Sequence, residues 1–140
     1  MECKNYWDEF EYNKLKLLLN KGKVDSIIDV RRGVKKMDTL FPISVELHLT
    51  DICNLKCEWC TDKELRRNGA TLDMQIAGEL FSQLGRFGTG VTLEGGGEPT
   101  LHPHFHEIVL SGRRQHVDLG LISNGTVDIS DCINNLSWVR

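Results

Sequence analysis

Three cysteines fall within eight residues, in the run Cys53-Asn54-Leu55-Lys56-Cys57-Glu58-Trp59-Cys60. Thiolates are the usual protein ligands of iron–sulfur clusters, and a complete cubane takes four of them. Three on one short loop therefore suit a cluster with one iron left open. That iron can bind something other than protein, and chemistry can occur there. A glycine-rich turn, Gly95-Gly96-Gly97-Glu98-Pro99, follows further along the chain. A glycine turn lets backbone come close to a ligand, although successive glycines serve a purely structural turn equally well.

Zinc is the competing ligand for the cysteines. A structural zinc site wants four protein ligands, and the fourth would have to be Cys3, Cys132 or a histidine. The alternation His102, His104, His106 would share a face in an extended segment. Pro103 and the helical pattern that follows break that geometry, so these histidines read as a loop and a helix start. Five cysteines, three of them crowded together, argue against a disulfide framework.

These residues need elements to carry them. Phe10 and Leu15 to Leu19 suggest an amphipathic helix ending near Asn20 to Gly22, with a second short helix over Val24 to Val30. Lys35 to Phe41 reads as a linker. From Ile43 the pattern changes. Ile43 to Thr50 alternates apolar and polar at strand period. Met74, Ile76, Ala77, Leu80, Phe81, Leu84 and Phe87 recur at helical spacing, with Thr71 or Asp73 as N-cap. Gly90 to Glu94 is a second strand, His104 to Arg114 a second helix and His116 to Ile122 a third strand. Asp128 to Leu136 is predicted as a short helix capped by Asp128 or Ser130, and Trp138-Val139 as the opening of a fourth strand.

Repeated strand–helix units imply a parallel sheet with right-handed crossovers. Strands buried on both faces would be continuously apolar. Here one side stays polar: Ser44, Glu46, His48 and Thr50, then Thr92 and Glu94. A barrel-like sheet with helices outside and a polar chamber inside explains this, as does a sheet open to water on one face. Glu46 and His48 are candidates for contacts within such a chamber.

Composition narrows the field. The 140 residues carry a net charge of −3, which gives no nucleic-acid footprint. The basic pairs Arg31-Arg32 and Arg113-Arg114 read as solvated faces. No run approaches the ~20 apolar residues of a membrane span, and residues 1–8 hold no signal-peptide core. A cytoplasmic protein, where thiols stay reduced, is the expectation.

The spacing Cys53-x3-Cys57-x2-Cys60 after the first strand, with Trp59 before the last cysteine, resembles the cluster loop of the radical S-adenosylmethionine (SAM) superfamily. Gly96-Gly97-Glu98-Pro99 at the end of the second strand is similar to that family's GGE turn. Ser123-Asn124-Gly125 ends the third strand, where many members carry a similar turn. The resemblance covers residues 43–140, leaving 1–42 as a helical extension. It implies an α/β fold, a partial (β/α) barrel forming the N-terminal half of the family core and truncated at its fourth strand. It also implies a [4Fe–4S] cluster on Cys53, Cys57 and Cys60, with SAM chelated at the fourth iron. Trp59, Gly96, Gly97, Glu98, Ser123 and Asn124 are the implied SAM contacts. Reductive cleavage of SAM would give a 5′-deoxyadenosyl radical that abstracts hydrogen from a substrate: a peptide, a sugar or aminocyclitol, or a nucleobase derivative. A reductant of flavodoxin or ferredoxin type is implied. The alternative is a non-catalytic zinc or iron–sulfur module for assembly or electron transfer.

Overall fold

The computed structural model describes residues 20–64 and 69–140. The chain divides into two compact units, Met1–Ile43 and Ser44–Arg140. The helix expected over residues 10–19 lies outside the described residues. In the first unit, α1 spans Lys21–Arg31 and buries none of its residues. It covers the short helix expected at Val24 to Val30 and extends it at both ends. An exposed Lys21–Asp25 pair at 2.6 Å lies along it, and a single 3-10 turn follows at Met37–Thr39.

The second unit runs β1 (Ser44–Leu47), α2 (Met74–Arg86), β2 (Gly90–Leu93), α3 (Phe105–Arg114), β3 (Leu119–Leu121) and β4 (Trp138–Val139). All three pairings are parallel, and the strand order is β1-β2-β3-β4. Sequential order with crossovers of one hand sets the helices on one face, as in a barrel segment. The fold is thus an open α/β sheet with the layout of a partial barrel.

Helix α2 starts where Asp73 accepts from the amides of Gln75 (2.7 Å) and Ile76 (3.2 Å). This side-chain bonding satisfies donors that a helix start leaves open. Ala77, Phe81 and Leu84 then form its buried stripe. Helix α3 contributes Phe105, Ile108 and Val109. They join Leu49, Val91, Leu93, Leu119 and Leu121 in one core, with Val45 and Leu47 partly buried against it. The apolar sides of the strands therefore face the helices as expected, and Ser44, Glu46 and His48 are exposed.

Three expectations change. Thr50 is buried and does not extend the polar face; it leaves the strand to bridge Thr71. The third strand begins at Leu119 rather than His116. His116 adopts a left-handed conformation (φ 58°), and the amide of Val117 reaches back to the carbonyl of Gly112 at 3.0 Å. Those residues finish α3 before the strand can start. The helix expected over Asp128 to Leu136 is only a 3-10 turn at Ile133–Asn135. Asp128 accepts from the amide of Ser130 at 2.9 Å, which holds its carboxyl below the usual range. Such local bonds compete with helix formation, and so short a segment nucleates poorly.

Across the polar face, Thr92, Gly120 and Trp138 form one row of register partners. The indole of Trp138 fills the space beside Gly120 where a Cβ would otherwise stand.

Candidate functional site

The carboxyl ends of adjacent parallel strands share one rim, and open α/β sheets bind ligands there. In this chain the rim carries the cysteine loop after β1, the glycine turn after β2 and Ser123-Asn124-Gly125 after β3.

Backbone bonds lace the first two together. The amide of Gly97 donates to the carbonyl of Thr50 (2.7 Å), and the amide of Glu98 to the carbonyl of Ile52 (2.8 Å). Gly95 and Gly96 take left-handed φ values of 69° and 60°, which glycine adopts without strain. Gly97 answers to space instead, since a Cβ there would collide with the Ile52 carbonyl. Among the described residues, no hydrogen bond engages the carbonyls of Gly96 or Gly97. Two acceptors therefore stand open beside the cysteine loop.

Glu98 is 3% exposed and joins the second turn to the third. Its Oε1 accepts from the amide of Thr100 (3.1 Å), the Thr100 hydroxyl (2.7 Å) and the Ser123 hydroxyl (2.7 Å). Its Oε2 accepts from the amide of Asn124 at 2.8 Å. A carboxylate offers about four acceptor positions over its two oxygens, so Oε2 keeps room for a further donor.

Cys53, Cys57 and Cys60 are all part-exposed. The amide of Leu55 donates to the Cys53 sulfur (3.5 Å), and the amide of Cys60 to the Cys57 carbonyl (3.3 Å). Among the described residues, no three His, Cys, Asp or Glu side chains are placed to hold a single metal ion. In a cubane each thiolate binds a different iron, so its cysteines need not converge on one point. The chemistry of three part-exposed thiols on one loop fits such a cluster better than it fits zinc. Trp59 is 84% exposed and does not pack in the core. Cys132 is buried, and burial first, Asp131 second, pushes its thiol pKa up. Cys3 lies outside the described residues.

The three histidines do not converge on one ion among the described residues, although the His102 and His104 rings lie 6.1 Å apart. His102 is buried, with Nε2 at 2.8 Å from the carbonyl of Leu72 and Nδ1 accepting from the amide of His104. His104 points to Glu107 at 3.9 Å.

Glu46, His48 and Glu94 do gather on the polar face. Burial, then the charge of Glu46, pushes the Glu94 carboxyl up from its ordinary value of 4.5, against opposing pulls from His48 and Arg140. A raised carboxyl binds its proton more tightly in the folded chain, so folding loses stability as pH rises from 4.5 through the raised value. Glu94→Gln is expected to flatten that decline. Urea midpoints measured between pH 4 and 8 check it, and an unchanged slope rejects it.

Sequence reasoning did not single out Asn54 or Thr126. Asn54 donates from Nδ2 to the Thr126 hydroxyl at 2.7 Å, and Asn124 donates from Nδ2 to the Asn54 carbonyl oxygen at 2.9 Å. Nothing in the sequence marks Asn54 as a partner of Asn124 and Thr126, which lie 70 and 72 residues away.

A family model described as the Radical SAM superfamily matches residues 47–136, and the chain belongs to that superfamily. Members are enzymes that in general use a [4Fe–4S] cluster and SAM. The chain is 29% identical over 102 residues to mycofactocin maturase MftC of Mycobacterium ulcerans, covering 66% of this chain and 28% of that protein. It is 32% identical over 117 residues to GTP 3′,8-cyclase of Synechocystis sp., covering 81% and 32%. It is 36% identical over 84 residues to PqqA peptide cyclase of Rhodopseudomonas palustris, covering 59% and 21%. The chain thus spans a third or less of these relatives. A crystal structure of BtrN in complex with AdoMet and 2-DOIA shares the fold, with a TM-score of 0.56 at 21% identity over 71% of this chain and 42% of that one.

Proposed function

We propose that residues 43–140 are the N-terminal half of a radical SAM barrel, following a helical extension over 1–42. In this reading Cys53, Cys57 and Cys60 hold a [4Fe–4S] cluster. When bound and reduced, by a flavodoxin or ferredoxin type of partner, that cluster supplies the electron that cleaves SAM to methionine and a 5′-deoxyadenosyl radical, which takes hydrogen from the substrate. The chain's own residues bind and orient. The open carbonyls of Gly96 and Gly97 accept from the methionine ammonium. Glu98 adds its remaining Oε2 position and keeps the turn in place. Trp59 covers the cluster side or meets the adenine. Ser123 and Asn124 frame the rim through their bonds to Glu98.

The carrying observation is the lacing of the cysteine loop to the glycine turn by the Gly97–Thr50 and Glu98–Ile52 bonds. A storage or structural metal site has no use for a turn with open acceptors beside it. The relatives named above, a maturase, a peptide cyclase and a GTP cyclase, support a peptide or a nucleobase derivative as substrate; a sugar or aminocyclitol rests on the family resemblance alone. No helix among the described residues is long and apolar enough to cross a membrane, and thiols of this kind persist in the reducing cytoplasm.

Anaerobic reconstitution of the full chain with iron and sulfide is expected to give a brown protein whose reduced spectrum changes on adding SAM. Colourless protein holding one zinc would overturn the reading in favour of a non-catalytic module.

A further inference from the structure

Asn54, Asn124 and Thr126 close a ring of hydrogen bonds between the cysteine loop and the β3 turn. Asn54 donates to the Thr126 hydroxyl (2.7 Å), that hydroxyl donates to the Asn124 carbonyl oxygen (2.7 Å), and Asn124 donates to the Asn54 carbonyl oxygen (2.9 Å). Each side chain gives one proton and takes one, so the directions agree around the cycle. Turning the Asn54 amide over would set donor against donor. Bonds in such a ring polarise one another in the same sense.

The turn on which the ring is anchored is held independently. The amide of Thr126 donates to Asn124 Oδ1 (3.0 Å) and that of Gly125 to the Ser123 hydroxyl (3.1 Å). Gly125 supplies the left-handed residue (φ 70°), and Glu98 fixes Ser123 and Asn124 from the other side. Asn54 gives the cysteine loop a side-chain tie that spans 72 residues to Thr126, and it sits next to Cys53.

We propose that this ring is a clasp that presets the cysteine loop before a cluster is loaded, making Asn54 and Thr126 positioning residues for the three thiols. The proposal rests on the cluster reading above. Partners that orient ligands from behind typically change metal affinity by about 10- to 100-fold when removed. An exposed ring belongs at the low end of that range, because each bond contributes only a modest net free energy.

The test uses the full chain in wild-type, Asn54→Ala, Thr126→Val, double-variant and Thr126→Ser forms. In cluster-free protein, hydrogen exchange over residues 51–60 is expected to rise about fivefold to tenfold in each single loss variant. In reconstituted protein, iron loss to a chelator accelerates by a similar factor, and the spectral response of the reduced cluster to SAM weakens. The double variant is no worse than either single one, and Thr126→Ser restores wild-type behaviour. Wild-type exchange in Thr126→Val, or effects that multiply in the double variant, overturn the clasp. A wild-type chain that takes up no cluster overturns the proposed function instead, whatever the exchange shows.

Discussion

Replacing Cys57 by alanine is expected to abolish cluster uptake, while Cys132→Ala leaves it intact. The proposed ligand set has no spare member, since three thiolates already leave one iron without protein. Losing one opens a second iron to solvent. Cys132 contributes nothing to this set. It is 1% exposed and packs in the core beneath the sheet, and its raised pKa disfavours the thiolate that binds metal. Iron and sulfide counted per chain after anaerobic reconstitution decide the matter. Equal losses from both substitutions would show that the ligand set is wrong. A cluster retained in Cys57→Ala at wild-type stoichiometry would do the same.

Glu98→Ala is expected to damage the rim in two separable ways. The substitution strips the Thr100 hydroxyl, the Ser123 hydroxyl and the Asn124 amide of their shared acceptor. Removing these hydrogen bonds to a charged group, and leaving the buried Thr100 hydroxyl unpaired, costs about 3 kcal/mol in all. The tie between the β2 and β3 turns disappears with them, so the Gly96 and Gly97 carbonyls lose their support. SAM affinity should then fall by about tenfold or more, since 1.4 kcal/mol of lost orientation already gives that factor. Glu98→Gln retains one acceptor oxygen and should lie between wild type and alanine in both respects. Urea unfolding reads the first effect, and equilibrium dialysis of SAM on cluster-loaded protein reads the second. Unchanged stability would contradict the role of Glu98 as a hub. Lowered stability with unchanged affinity would remove it from the ligand site while leaving the hub intact.

Much of this arrangement was legible in the residues because it rests on local signals. The β2 strand and α2 announce themselves by period, and Asp73 by its place before an apolar stripe. The three cysteines and three glycines mark their loops by type and spacing alone. The failures share a different cause. Nothing local shows that His116 will turn left-handed and take the start of β3 into the end of α3. The Asp128 to Leu136 stretch carries apolar residues at helical intervals, yet its aspartates, serine and asparagines bond their own backbone more readily than they build a helix. At the site, the type of Glu98 was informative, but its partners were not. Ser123 and Asn124 lie 25 and 26 residues away and meet it only because β2 and β3 are neighbours in parallel register. The ring through Asn54 is further still from anything periodicity can reveal.

The indole of Trp138 resting against Gly120 ties two positions on neighbouring strands into one unit of inheritance. A methyl group at 120 meets the indole at 138, which must swing aside or be exchanged for something smaller. Descendants of this sequence should therefore keep the glycine with the large aromatic or lose both together. A pair that drifted independently would mean the inner wall of the sheet tolerates rearrangement at that level.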